Sequence, residues 1–155
     1  MFYISEANKG DSELIYLVRE LDAFQSELYP TESNHCLDFS TVSDENLRCV
    51  IVKDEHGIPA GCGALLFEEG GFGEVKRIYI RPEFRGRKLG EQIIAFLENL
   101  ALENRCHQLR LETGIHQQSA IALYRRCGYE VCEAFHPYIA DPLSVFMCKN
   151  IQVNP

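Results

Sequence analysis

The chain has 155 residues, 46% hydrophobic and 25% charged, a length and balance that fit one soluble domain with an ordinary core. A formal net charge of −8 argues against a nucleic-acid partner and mildly favours a cationic substrate, with acidity for solubility alone as the alternative. The seven cysteines, Cys36, Cys49, Cys62, Cys106, Cys127, Cys132 and Cys148, are scattered, odd in number and without a C-x-x-C pair, which excludes a zinc ribbon and reads as free thiols in a reducing cytoplasm.

Met1 to Asp11 lacks the basic run and apolar stretch of a signal peptide, and Met1 to Ser5 reads as a short edge strand. No apolar stretch approaches the roughly 20 residues of a membrane span, so no membrane partner is expected. Ser12 is expected to cap a helix that sends Leu14, Ile15, Leu17, Val18, Leu21 and Phe24 to the core and ends before Pro30. Leu28 to Asn46, with Tyr29, Asn34, His35, Cys36 and Phe39 but no sustained period, reads as a long loop with one helical turn. A loop of that length in a compact domain is often functional. Arg48 to Lys53 and Pro59 to Glu68 read as strands, and Glu69, Gly70 and Gly71 turn the second into a third over Glu74 to Ile80. Hairpin succession makes the three an antiparallel meander.

The third strand opens the most informative stretch, Glu74 to Leu97. Val75, Ile78 and Ile80 suit a buried strand, and Arg81 with Pro82 ends it, because proline has no amide proton and favours an extended residue before it. A basic run with two glycines follows, Arg85, Gly86, Arg87, Lys88, Leu89 and Gly90, and then Leu89, Ile93, Ile94, Phe96, Leu97 and Leu100 recur at helical spacing. Strand, basic glycine loop and helix N-terminus form an anion-binding arrangement, since the first-turn amides have no partners within the helix and carry partial positive charge. No Gly-Lys-Ser or Gly-Lys-Thr occurs, and the three spaced glycines of a dinucleotide loop are absent.

Gln108 to Glu112 then reads as a strand, and a right-handed crossover through the helix makes it parallel to Glu74 to Ile80. Ser119 to Arg126 is a short helix closed by Cys127 and Gly128. Tyr129 to Ala134 and Ser144 to Lys149 read as strands joined by a loop carrying His136, Pro137, Tyr138, Asp141 and Pro142. No repeat, linker or low-complexity stretch divides the chain, so residues 1–155 are expected to form a single mixed α/β domain.

The run from Arg85 to Gly90 resembles the pyrophosphate loop of the GNAT superfamily of N-acetyltransferases, Gln/Arg-x-x-Gly-x-Gly/Ala between a strand and a helix. Arg85, Leu89 and Gly90 fit, and Lys88 stands where the first glycine is usual. Lysine is expected to supply the same amide in right-handed helical geometry. A second segment resembles the family's helix that opens near Asn, carries Ala and Leu-Tyr, and closes at Gly-Phe or Gly-Tyr. Here Gln117, Ala120, Leu123, Tyr124, Gly128 and Tyr129 occupy those positions, with Gln117 replacing the asparagine. Together the segments carry the resemblance from Arg48 to Lys149.

The resemblance implies a central, mostly antiparallel twisted sheet of six or seven strands with one splayed parallel pair and helices on both faces. It implies acetyl-CoA as cosubstrate, its pyrophosphate on Arg85, Gly86, Arg87, Lys88, Leu89 and Gly90, and its pantetheine arm along Ile78, Tyr79 and Ile80 and within reach of Gln117. A backbone N–H near Ile78 or Tyr79 would polarise the thioester carbonyl, and the amine would attack directly.

An ammonium of pKa about 10.4 must lose a proton before it attacks. Glu74 is the first candidate base and Glu112 the second; a solvated or ion-paired carboxylate is the alternative for each. Tyr124 is the candidate acid for the departing thiolate, with core packing as its alternative. Tyr29, Tyr138 and Asp141 are candidates for an amine pocket, with Asp141 binding the ammonium and the tyrosines packing over it. The histidines at 35, 56, 107, 116 and 136 are never paired at ligand spacing, so no metal is expected. The expected substrate is a small cationic amine. A CoA-binding sensor, a protein N-terminal or lysine acetyltransferase, a nucleotide-binding module and a homodimer remain open alternatives.

Overall fold

A computed structural model of the chain describes residues 1–30 and 37–151. The elements run β1 (Phe2–Ala7), α1 (Ser12–Leu28), a 3-10 turn at Phe39–Thr41, β2 (Leu47–Asp54), β3 (Pro59–Glu68), β4 (Phe72–Ile80), a second 3-10 turn at Pro82–Phe84, α2 (Leu89–Glu103), β5 (Gln108–Gly114), α3 (Gln118–Arg126), β6 (Glu130–Cys132) and β7 (Ser144–Asn150). Of the long loop expected over Leu28 to Asn46, Asn34, His35 and Cys36 fall outside the described residues.

The helix α1 begins one residue earlier than Ser12 would set it. Asp11 is the cap, its Oδ1 accepting the N–H groups of Glu13 at 2.9 Å and Leu14 at 3.0 Å, and Ser12 is the first helical residue. A carboxylate there satisfies two amides and also faces the positive end of the helix dipole. The buried stripe ends at Leu21, and Phe24, expected in the core, is 44% exposed.

The seven strands form one sheet in the order β1-β2-β3-β4-β5-β7-β6, antiparallel at every step except the parallel pair β4–β5. Alternation along β2 shows why its sequence is apolar almost throughout. Cys49 and Ile51 pack with Leu14, Leu17 and Leu21 of α1, while Val50 and Val52 pack on the opposite face with Ile93, Ile94 and Leu97 of α2. A strand covered on both sides gains from an apolar residue at every position. Each such fully buried aliphatic side chain contributes about 1.5–3 kcal/mol. The helix α3 lies on the α2 side through Leu123 and Tyr124.

Candidate active site

The parallel pair is the irregular part of the sheet. β4 and β5 are in register only at Phe72 with Gln108, Gly73 with Leu109 and Glu74 with Arg110. Past Glu74, β4 continues along β3 and β5 continues along β7 to Gly114, so the two halves of the sheet part. A bulge accompanies the parting. Between Ala64 opposite Lys76 and Cys62 opposite Tyr79, β4 carries one residue more than β3, and Arg77 within it has φ 55°. An extra residue bends and twists the strand that holds it. A non-glycine residue in the left-handed region costs about 1–2 kcal/mol. Here that cost is offset by a buried guanidinium that donates to Asp22 Oδ1 at 2.9 Å and the Leu37 carbonyl at 2.6 Å and lies over the Phe39 ring.

The opening is lined by Glu74, Lys76, Ile78, Glu112, Gln117 and Tyr124, among others. Glu74 is 3% exposed and is held by two donors on one oxygen. Lys76 Nζ lies 3.0 Å from its Oε2, and the Tyr138 hydroxyl donates to the same atom. Lys76 also donates to the Tyr138 oxygen at 2.7 Å, which closes a three-membered network. Burial, and then the Glu74 charge beside it, holds the Tyr138 phenol above its ordinary range. Glu112 accepts from Ser144 Oγ at 2.7 Å. Burial raises the Tyr124 phenol as well, with smaller contributions from Cys127 and Glu112.

Gln117 precedes α3, and its Oε1 accepts the Gly114 N–H at 3.0 Å, which turns its amide group along the end of β5. Tyr29 packs against that same end. Its hydroxyl accepts the His116 N–H at 3.1 Å and its ring stacks on His116 at 5.7 Å. A Cβ on Gly114 would sit 1.8 Å from that hydroxyl, so only glycine admits the ring there.

Two expected site residues make side-chain contacts of their own away from the opening. Asp141 Oδ1 accepts the Leu143 N–H at 2.8 Å inside a turn, and Asp141 does not line the opening. The Tyr79 side chain points to the α1 face, where its hydroxyl donates to Glu20 at 2.6 Å, so only its backbone belongs to the edge of the opening. Tyr138 reaches the site but meets Glu74 and Lys76 there.

The loop before α2 carries its charges outward, with Arg85, Gly86, Arg87 and Lys88 all exposed. Gly86 has φ +81° and Lys88 has φ +60°, so the right-handed geometry expected for Lys88 is wrong. A left-handed residue at this point explains why glycine suits the position. Lys88 makes no side-chain cap to α2, so the first-turn amides keep their outward capacity for an anion. Gly90 is also constrained by helix packing. Its Cβ would meet Leu123 Cδ2 at 2.8 Å, so it is the contact point between α2 and α3.

Among the described residues, no group of three His, Cys, Asp or Glu side chains is placed to hold a metal ion. None of their helices is long and apolar enough to cross a membrane.

A seven-stranded sheet that parts along one parallel pair, followed by an uncapped helix with a basic loop, is the acyl-CoA N-acyltransferase fold. The model of the Acetyltransferase (GNAT) family matches residues 14–129. The IAA acetyltransferase of Azospirillum brasilense is 41% identical over 137 residues, covering 88% of this chain and 89% of that one. A Klebsiella pneumoniae structure described as an acyl-CoA N-acyltransferase superposes with a TM-score of 0.88 at 45% identity, covering 97% of each chain. Spermidine N-acetyltransferase from Vibrio cholerae, solved with CoA and spermine, shares the fold at a TM-score of 0.69 and 19% identity, covering 96% of this chain and 95% of that one. The chain belongs to the GNAT acetyltransferase family and is an acetyl-CoA-dependent N-acyltransferase.

Proposed function

We propose that this chain acetylates the primary amine of a small cationic metabolite by direct attack within a ternary complex. The observation that carries the reading is the opening after Glu74, where two carboxylates, Glu74 and Glu112, line a gap beside the strand that leads to an uncapped helix.

The residues fit acetyl-CoA on their own chemistry. The exposed cations Arg85, Arg87 and Lys88 and the free first-turn amides of α2 suit a pyrophosphate. Past Glu74, the β5-facing edge of β4 has no strand partner among the described residues, so its amides suit an amide-containing arm and a carbonyl oxygen. When bound, acetyl-CoA supplies an acetyl group activated as a thioester. Glu74 or Glu112 takes the proton of the incoming ammonium, which at a pKa of about 10.4 is not lost to water near neutrality. Tyr124, kept protonated by burial, returns a proton to the leaving sulfur.

The acceptor would enter from the α1 side. A cavity of about 600 Å3, walled by Leu14, Ile15, Val18 and Phe39, shares Arg77 with the opening. Tyr29 lies at the far end of β5, where burial raises its phenol and the Glu112 charge adds to the rise. Release of CoA thiol with a panel of polyamines, amino acids and amino sugars tests the substrate class. Release with a peptide N-terminus or a protein lysine, and with none of the small amines, would overturn it.

A further inference from the structure

We propose that Lys76 and Tyr138 are positioning residues that fix the Glu74 carboxylate for its part in amine acetylation. The inference rests on the acetyl-transfer reading above, and it gives Tyr138 a role other than packing over the substrate.

The arrangement is built from two separate parts of the chain. Glu74 and Lys76 are two residues apart on β4, so the strand's alternation sets both on one face. Tyr138 arrives from the β6–β7 connection, 64 residues further on. That connection is anchored by rings: Phe135 meets Tyr138 at 5.2 Å and Phe146 at 5.6 Å, and Tyr138 meets Phe146 at 5.7 Å. The Tyr138 N–H donates to the Phe135 carbonyl at 2.8 Å, which closes the turn that aims the ring. The hydroxyl is therefore in place before any ligand arrives.

Both donors converge on Glu74 Oε2, and among the described residues Oε1 receives no hydrogen bond. A carboxylate on a flexible side chain has rotamers to spare; two donors on one oxygen leave it with one orientation. Glu74 lines the opening, and its second oxygen is then the one left to accept a proton from an ammonium within about 3 Å. The ammonium's proton passes to Oε1 first, which frees the nitrogen lone pair for attack on the thioester carbonyl, and Lys76 and Tyr138 keep theirs. Neither touches the reacting atoms.

The test uses the full chain with Tyr138→Phe, which keeps the ring contacts and removes only the hydroxyl. We expect kcat with the best amine to fall about tenfold, while KM for acetyl-CoA stays within about twofold. Lys76→Arg should keep most of the activity that Lys76→Met loses. A readout that needs no turnover is the tyrosinate absorbance difference between wild type and Tyr138→Phe, which isolates the Tyr138 phenol. Besides Glu74, the Glu112 and Arg77 charges act on it. Tyr138 should stay protonated above about pH 10, the ordinary phenol value, and Glu74→Gln should bring its ionisation down. An unchanged kcat in Tyr138→Phe, or a phenol that ionises at the same pH in wild type and in Glu74→Gln, sinks the proposal. A wild-type chain that binds acetyl-CoA and acetylates no amine counts against the substrate reading, and the absorbance comparison then decides the clamp by itself.

Discussion

Lys76→Met is the perturbation whose cost follows most directly from the geometry. Glu74 is 3% exposed and the Lys76 side chain 8% exposed, so methionine, of similar length and no charge, leaves a carboxylate desolvated without its counter-ion. Removing one partner of a buried pair costs about 3–5 kcal/mol, more than the pair itself contributes, because the remaining charge keeps its desolvation penalty. The Tyr138 hydroxyl still donates to Glu74 Oε2, and a hydrogen bond to a charged group contributes about 1.5–3 kcal/mol, which sets the expectation at the lower end. A loss of about 3 kcal/mol in a domain of this size lowers Tm by about 6–12 °C. Urea unfolding followed by circular dichroism measures it. Glu74→Gln combined with Lys76→Met should recover most of the loss, since the orphaned charge is gone. A single variant within about 1 kcal/mol of wild type, or a double variant no better than the single, would refute the buried-charge argument.

Gly90→Ala should lower the urea midpoint by the equivalent of about 1 kcal/mol, because the new methyl meets the tip of Leu123 at 2.8 Å and the side chain must move. An unmoved midpoint would show that Leu123 yields without cost. Gly114→Ala should expel the Tyr29 ring, since its Cβ would lie 1.8 Å from the hydroxyl and 2.0 Å from Cζ. The expected readout is a lower kcat/KM for the amine with an unaltered Kd for acetyl-CoA; equal kcat/KM would remove Tyr29 from the acceptor side. Tyr124→Phe should lower kcat about tenfold or more and leave acetyl-CoA binding intact, and full activity would return the ring to core packing. The sign of its pH dependence is fixed by burial. A phenol raised above its ordinary value remains in the acid form until the pH passes that raised value, so Tyr124 contributes no loss of kcat below about pH 10.

The sequence makes legible whatever is local. The apolar runs of β2 and β3, the helical period from Leu89 to Leu100 and the turn residues between them are short-range patterns, and β3 spans Pro59–Glu68 as expected. The basic loop and the Gln117 to Tyr129 segment identify the family because each is one contiguous stretch with its own pattern. What escapes is set by backbone torsion or by distant contact. Lys88 at φ +60° looks like any helix-start residue in a sequence, and the bulge at Arg77 is one extra residue visible only in the register with β3. Lys76 could have been found, since it shares a strand face with Glu74. Tyr138 could be singled out as an aromatic in a loop, but its bond to Glu74 depends on how the β6–β7 connection folds back over Phe146. Asp141 is an acidic loop residue that suggests an ammonium partner, and the contact of its Oδ1 with the Leu143 N–H is one that no sequence pattern announces.

Direct transfer is tested most plainly by stoichiometry. The purified chain is given acetyl-CoA with and without an accepted amine, and CoA thiol, acetylated amine and the mass of the chain are measured together. Attack within a ternary complex predicts one acetylated amine for each thiol released, negligible release without amine, and a chain of unchanged mass. Thiol release without an amine, or an acetyl group found on the chain before amine is added, would contradict it.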